Sequence, residues 1–533
     1  MKSRRIAVVL LLCLMIFTAA CSNNTTKGTD TGTNPTGTAG GTSKPVVKEP
    51  IDISFMSFMA LDVFPPSEGR AVDMIKEKFQ ANIKSQFIPV ADFGDKVSVL
   101  IASGDVPDVV SWGGMESTFI KFARQGAFLP IDDYIDKYES LKAVPEHVWD
   151  QLRIDGKIYS IPSYGSSHVF TMIIRQDWLD NLNLKMPTNY EELKQVAIAF
   201  TKNDPDGNKK NDTLGFSVYS NIGPEARAGA YWSQAWYHKD ADGQYIPGII
   251  GPGRKEIIEM YADAYAQGAV TKDFAVVTID QAYKEFYSGK SGIFLGTPRG
   301  MSEPDYLALL KAQPKAVVAS VPYFVAPDGS QGSALGLGYN GFTAISGKLK
   351  DQPEKIEKIL EIMDFGRKWI PVQDRTPQNA DFDWLYGNEG TGYTMQNGKA
   401  VLQPAYEKNA PFHYMLQRHE PYTPWAPNDD ANQYSTSQYD SKEMQEFIAK
   451  IEEMERTSNK TPYADPSRGI LTETQAKKGL ELQEFIIGEQ IKMISGARPI
   501  TEWDKMVDEW KSRGGADWIK EMNAEIKERE GKK

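Results

Sequence analysis

The hydrophobic period changes four times between Pro50 and Trp112, and this constrains the fold more than any other stretch. Ile51, Ile53 and Phe55 alternate with Asp52 and Ser54, as in a strand. Val72, Ile75 and Phe79 then recur at helical spacing, with Ser67 placed to cap that helix. Residues 83–90 give a second strand, 95–103 a helix stopped at Gly104, and 109–112 a third strand. Strand, helix, strand, helix, strand demands a parallel sheet with right-handed crossovers. Ligands of such sheets bind beyond the carboxyl ends of the strands. Those ends are the 56–65 loop and Ser111-Trp112-Gly113-Gly114, so Trp112 is expected to meet a ligand.

A second informative stretch runs from Arg175 to Phe216. A strand leads into Arg175-Gln176-Asp177-Trp178, and after Pro187 the pair Thr188 and Glu191 reads as a capping box. Leu193, Val196, Ala197 and Phe200 follow at helical spacing and are expected to face a core. Beyond that helix, Asp204, Asp206, Asn208 and Asp212 place oxygen ligands at every second or fourth position, and Lys210 can add its backbone carbonyl. A calcium ion takes six to eight oxygens, and these residues fill positions 1, 3, 5, 7 and 9 of an EF-hand-like loop. Lys209 stands where such loops carry Gly, and Gly215 where they carry a bidentate Glu. A structural calcium is expected here, the alternative being an acidic, Asn-rich turn without metal.

At the start of the chain, Lys2, Arg4 and Arg5 precede an apolar run from Ile6 to Phe17 and then Thr18-Ala19-Ala20-Cys21. A basic head, a short apolar core and small residues describe an export signal over 1–20, too short for a membrane span. Small residues ending on Cys21 resemble a bacterial lipobox, whose Cys is acylated and becomes the mature N-terminus; Thr18 departs from the Leu usual there. Cys13 would leave with the signal, so the mature chain could form neither an internal disulfide nor a cysteine-based zinc site. Losing three positive charges with the signal takes the formal net charge from −11 to −14, which argues against nucleic acid as a partner. Residues 22–49 are mostly Thr, Gly, Asn and Ser without an aromatic, a composition that cannot bury enough surface to fold. With Cys21 they read as a lipid-anchored tether of roughly 30 Å, holding the protein at the outer face of the cell membrane.

Three blocks carry a family resemblance: Ile101-Ala-Ser-Gly-Asp-Val-Pro-Asp108-Val-Val, Gly126-Ala-Phe-Leu-Pro-Ile-Asp-Asp-Tyr-Ile and Asp155-Gly-Lys-Ile-Tyr-Ser-Ile-Pro162. In that order they resemble the bacterial extracellular solute-binding proteins of the maltose-binding type, the capture subunits of ABC importers. The Arg175-Gln-Asp-Trp-Leu block, the 204–212 loop and the tail around Ile486 and Trp503-Asp504 resemble a Gram-positive lipoprotein subgroup. Members of that subgroup bind oligosaccharides, some with calcium in this loop. The resemblance implies an α/β, two-lobed periplasmic-binding-protein-like fold with a hinge and an interlobe cleft. The first lobe is expected over 50–165 plus 330–371 and the second over 166–329 plus 372–533. Chain length independently favours two lobes over one core. Trp503, Met506, Val507 and Trp510 are expected to pack on one face of a closing helix, with Gly514 as its stop.

The resemblance also implies a monomeric importer subunit that works with a membrane permease and a separate ATPase. An oligosaccharide is the expected ligand, with peptide as the competing class. Sugar rings stack on aromatic faces while polar side chains meet their hydroxyls. Besides Trp112, the expected contacts are Tyr231, Trp232 and Trp236, Arg299 in Gly296-Thr-Pro-Arg-Gly, and Trp384 and Trp425 in Gly/Pro/Asn-rich segments. No GxSxG, GxxxxGK[ST] or HExxH occurs, and the five His show no metal or triad spacing, so no enzymatic activity is expected. A secreted polysaccharide-degrading enzyme is the remaining alternative, because carboxylates are plentiful.

Overall fold

The alternation at Ile51, Ile53 and Phe55 builds the strand it predicts. In the computed structural model β1 spans Ile51–Met59, α1 Arg70–Phe79, β2 Ala81–Pro89, α2 Val90–Ser103 and β3 Val109–Trp112. Both β2 and β3 pair with β1 in parallel. Gly104 ends α2 in the left-handed conformation that glycine adopts without strain. Helix α1 starts later than expected: its cap is Gly69, not Ser67, and no side chain accepts from its first turn. The structure describes residues 49–59, 64–165, 172–220, 222, 228–294, 303–368, 374–403, 409–417, 439 and 441–531. The signal, Cys21 and the tether up to residue 48 lie outside the described residues, and so do Arg299 and Trp425.

Helix α3 follows at Ser117–Arg124 and β4 at Ile161–Tyr164. The chain then enters a second sheet with β5 at Met172–Arg175, α4 at Tyr190–Lys202, β6 at Leu214–Ser217, α5 at Pro252–Ala266, β7 at Ser291–Phe294 and β8 at Val318–Val321. It returns to the first sheet as β9, Tyr339–Ile345, followed by α6, Pro353–Gly366. Four helices close the chain: α7 Lys442–Ser458, α8 Glu473–Ile494, α9 Trp503–Trp510 and α10 Ala516–Glu530.

The first sheet has the order β2-β1-β3-β9-β4, with β9 antiparallel to both neighbours. The second has the order β8-β5-β7-β6. Each sheet sits in its own hydrophobic core, and helices cover both. Two α/β lobes result, joined by chain that passes between them before β5, between β8 and β9, and again before α7. Among the described residues no helix is long and apolar enough to cross a membrane.

Three local expectations shift. The 188–191 capping box moves by one residue: Asn189 caps α4 by accepting from the Glu192 amide, while Thr188 donates to the Glu192 carboxylate at 2.8 Å. Leu193, Val196, Ala197 and Phe200 are all buried, as their spacing required. Residues 382–403 and 409–417, expected in the second lobe, pack in the first: Trp384 meets Phe79 and Phe365, and Tyr414 meets Phe87. Gly514 is a kink rather than a stop. With φ at 132° it turns α9 into α10, and a side chain on Gly515 would collide with the Trp510 ring.

Candidate ligand-binding site

A cavity of about 500 Å³ opens in the second lobe beside the segment that crosses from β8 to β9. Its size falls within the usual range for small-molecule sites. One wall is apolar and aromatic, from Trp236, Ile249, Ile486, Trp510 and Trp518. The indoles of Trp236 and Trp510 each lie 5.9 Å from that of Trp518. The kink at Gly514 produces this arrangement by folding α10 back so that Trp518 reaches Trp510. Ser333 to Leu337 of the crossing segment form another side, Asp465 and Arg468 bring the charge, and Ser467 adds a hydroxyl.

Trp236 is held by its backbone. Its amide donates to Asp465 Oδ2 at 3.1 Å and its carbonyl accepts from the Tyr463 hydroxyl at 2.8 Å. Tyr463 in turn exchanges main-chain hydrogen bonds with the crossing segment, donating to Ser333 and accepting from Leu335. Arg468 sits in the turn that begins at Asp465, and its carbonyl accepts from Arg529 of α10 at 2.6 Å. Burial draws the Arg468 guanidinium below the ordinary arginine value, and Asp465 acts in the opposite sense. At the junction of the lobes, Gln151 of the first donates to the Leu337 carbonyl at 3.1 Å. A separate crevice has Ile120 and Arg124 of α3 on one side and Leu471 and Glu473 on the other.

Of the expected sugar contacts, Trp236 lines the cavity. Trp112 does not face a cleft: it is 2 % exposed, packed edge-on against Phe93, Phe119 and Phe128 in the first-lobe core. Trp232, 4 % exposed, packs on Tyr190 and Phe324 and donates to Glu256 at 2.6 Å. Tyr231 is half-buried against Trp232 and His238, away from the cavity lining. Trp384 is half-buried under Lys78 in the first lobe. Arg468, Trp518, Gln234 and Gln475 line the cavity and were missed. Their turn and helix positions carry no local periodic signal, and only the tertiary fold gathers them.

The 204–212 loop is built partly as its sequence suggests. Lys209, at the position that usually carries Gly, takes φ 63° and so supplies the left-handed turn. Its amide donates to Asp204 Oδ2 at 2.9 Å, and the Lys210 amide donates to Asn208 at 2.7 Å. The Asn208 side-chain amide donates to both Asp206 and Asp212. Asp204 Oδ1 is buried without a hydrogen-bond donor. Burial, and then the neighbouring Asp204 and Asp212, push the Asp206 carboxyl above its ordinary value. These two aspartates fit a cation. The closing end of the loop does not: a side chain on Gly215 would collide with the Ala197 carbonyl of α4, so no carboxylate can stand there. Among the described residues no group of three or more His, Cys, Asp or Glu side chains is gathered as for a metal.

Two sheet-centred lobes joined by crossing segments, with a cavity beside one crossing, define a two-lobed solute-binding protein. The chain belongs to the bacterial extracellular solute-binding protein family, whose sequence pattern matches residues 66–390. It is 25 % identical over 531 residues to the polygalacturonan/rhamnogalacturonan-binding protein YtcQ of Bacillus subtilis, covering 99 % of each chain. Lipoprotein LipO of the same organism is 23 % identical over 95 % of each. Among solved structures, the S. pneumoniae ABC-transporter substrate-binding protein FusA in complex with kestose superposes with a TM-score of 0.63 at 20 % identity, covering 90 % of this chain and 100 % of that one.

Proposed function

We propose that this protein is the substrate-capturing subunit of an ABC importer and that it binds an oligosaccharide, without turning it over, for delivery to a membrane permease. The observation that carries this reading is the cavity itself. Clustered indoles make one side apolar and aromatic, and polar groups on the other can meet hydroxyls. The carbohydrate ligands named for YtcQ and FusA support the same class. The protein acts as a monomer outside the cytoplasm, held by acylated Cys21, and the lipoprotein relative supports that anchor. A calcium ion bound by Asp204, Asp206, Asn208, Asp212 and the Lys210 carbonyl braces the second lobe.

Titration with a panel of plant, algal and host oligosaccharides, read by tryptophan fluorescence and calorimetry, tests the assignment. A sugar is expected to bind saturably, and Trp236→Ala is expected to weaken it at least tenfold. Release of shorter products would make the protein an enzyme. A peptide that binds where no sugar does would overturn the ligand class.

A further inference from the structure

We propose that Gln151 and Gly469 are positioning residues for the ligand cavity, and that this first-lobe glutamine sets the gap between two of the cavity's walls. This rests on the cavity being the ligand site, as proposed above, and adds what fixes its width. Gln151 does not line the cavity. It is buried near the end of the helix Glu146–Leu152, whose Val148, Trp149 and Leu152 belong to the first-lobe core. Two contacts tie it to the cavity walls. Its side-chain Nε2 donates to the carbonyl of Leu337, a cavity residue, at 3.1 Å. Its backbone abuts Gly469, in the turn that carries two more cavity residues, Ser467 and Arg468. A β-carbon on Gly469 would stand 2.8 Å from both the α-carbon and the carbonyl oxygen of Gln151, and 2.9 Å from its β-carbon.

Neither side of this contact yields cheaply. The Gln151 atoms involved are mainly backbone, carried by a helix packed into the first-lobe core. The Gly469 turn is fixed by Ile470, buried in the second-lobe core, and by Arg529 of α10. That guanidinium donates to the carbonyls of Arg468 and Gly469 at 2.6 and 2.8 Å. Gly469 takes φ 66°, so its missing side chain serves both the left-handed backbone and the close approach. Close-packed interiors pass a displacement on rather than absorb it. The crossing segment is gripped from both sides: Ser333 and Leu335 exchange main-chain hydrogen bonds with Tyr463, while Leu337 is held by Gln151. A change in the spacing of Gln151 and Gly469 is therefore delivered to the wall that Ser333 to Leu337 form. A wall held at one spacing before the ligand arrives lowers the ordering cost of binding.

The test uses the full-length protein. Hydrogen exchange is read without ligand, and kestose, maltotriose and trigalacturonic acid are titrated calorimetrically. Gly469→Ala adds the β-carbon. Gly496→Ala is its control, because Gly496 has φ 78° with nothing within 4 Å and so reports backbone strain alone. Gly469→Ala is expected to speed exchange of the Leu335 and Tyr463 amides at least tenfold. It is also expected to weaken at least tenfold whichever trisaccharide the wild type binds, while Gly496→Ala changes neither. Gln151→Met keeps the side-chain length and deletes the donor to Leu337. It is expected to move both readouts the same way, several-fold, which keeps the test decisive should Gly469→Ala fold poorly. Unchanged exchange at Leu335 and Tyr463 in both variants, or faster exchange with unchanged affinity, overturns the proposal. So does a loss in Gly469→Ala no larger than that in Gly496→Ala. Failure of all three sugars to bind the wild type counts against the oligosaccharide reading instead, and the exchange rates then decide the proposal by themselves.

Discussion

Replacing Asp108 by Asn should destabilise the first lobe without touching the ligand cavity. Asp108 precedes β3 and is buried, and its Oδ2 accepts from both the amide and the hydroxyl of Ser54 in β1, each at 2.8 Å. Lys355 of α6 lies 2.8 Å from the same oxygen, and Lys348 lies 3.4 Å from the other. One carboxylate therefore ties together two strands and the helix that covers them. Asparagine keeps an oxygen but loses the charge. A hydrogen bond to a charged acceptor is worth about 1 kcal/mol more than one to a neutral acceptor, and two come from Ser54. The Lys355 ammonium, largely sheltered, loses its counter-charge at a further cost of about 1 kcal/mol, below the figure for a fully buried pair because it can turn to water. Lys348 is about half exposed and adds little. The expected loss is about 3 kcal/mol.

That loss has a pH signature. Burial alone would raise the Asp108 carboxyl, but the hydrogen bonds from Lys355 and Ser54 outweigh it and hold the group below the ordinary aspartate value. A depressed carboxyl stabilises the fold fully above its unfolded value of about 3.9, and the contribution disappears as pH falls through the folded value. The wild-type advantage over Asp108→Asn should therefore be constant near neutrality and shrink below about pH 4. Urea unfolding followed by hydrogen exchange in peptides covering β1 and β3 reads the first lobe separately, which matters because a two-lobed chain need not unfold in one step. A first-lobe difference under about 0.5 kcal/mol at pH 7, or one that persists unchanged in acid, would refute the reasoning.

Two further outcomes are expected. Chelation should lower the melting temperature, because an ion bound only by the folded state at 100–1,000 times its dissociation constant contributes about 3–4 kcal/mol. Asp206→Ala should remove that sensitivity, and identical curves with and without chelator would leave 204–212 an ordinary acidic turn. Cys21→Ala should release the protein into the culture medium, and a variant retained on the membrane to the wild-type extent would exclude acylation as the anchor.

What could be read from the sequence follows from how local the information is. The alternation of β1, the apolar face of α4 and the glycine after α2 are properties of a few consecutive residues, and they matched. Trp112 shows where this stops. All four residues of β3 are buried, so the strand has no polar face to reveal which side chains point at a ligand and which at the core. The lobe expected for 382–403 and 409–417 differs from the one observed for a related reason. Phe382, Trp384, Tyr414 and Met415 announce that they will be buried, but nothing in their spacing says in which lobe. The calcium loop stands between these cases: its ligand spacing is local, while the missing twelfth ligand is explained only by α4 lying against Gly215.

The placement of the cavity links binding to lobe movement more directly than proximity alone would. Ser333 to Leu337 line it and are also the chain that joins β8 to β9. The same segment pairs with Tyr463, whose hydroxyl holds the Trp236 carbonyl, and it accepts at Leu337 from Gln151 of the first lobe. A ligand that stacked on Trp236, as proposed, would press on a short run of hydrogen bonds that ends in the opposite lobe. A rotation of one lobe against the other that bent this crossing would change the shape of the cavity. A ligand that fits one of those shapes better shifts the lobes toward it, by no more than its difference in affinity between the two.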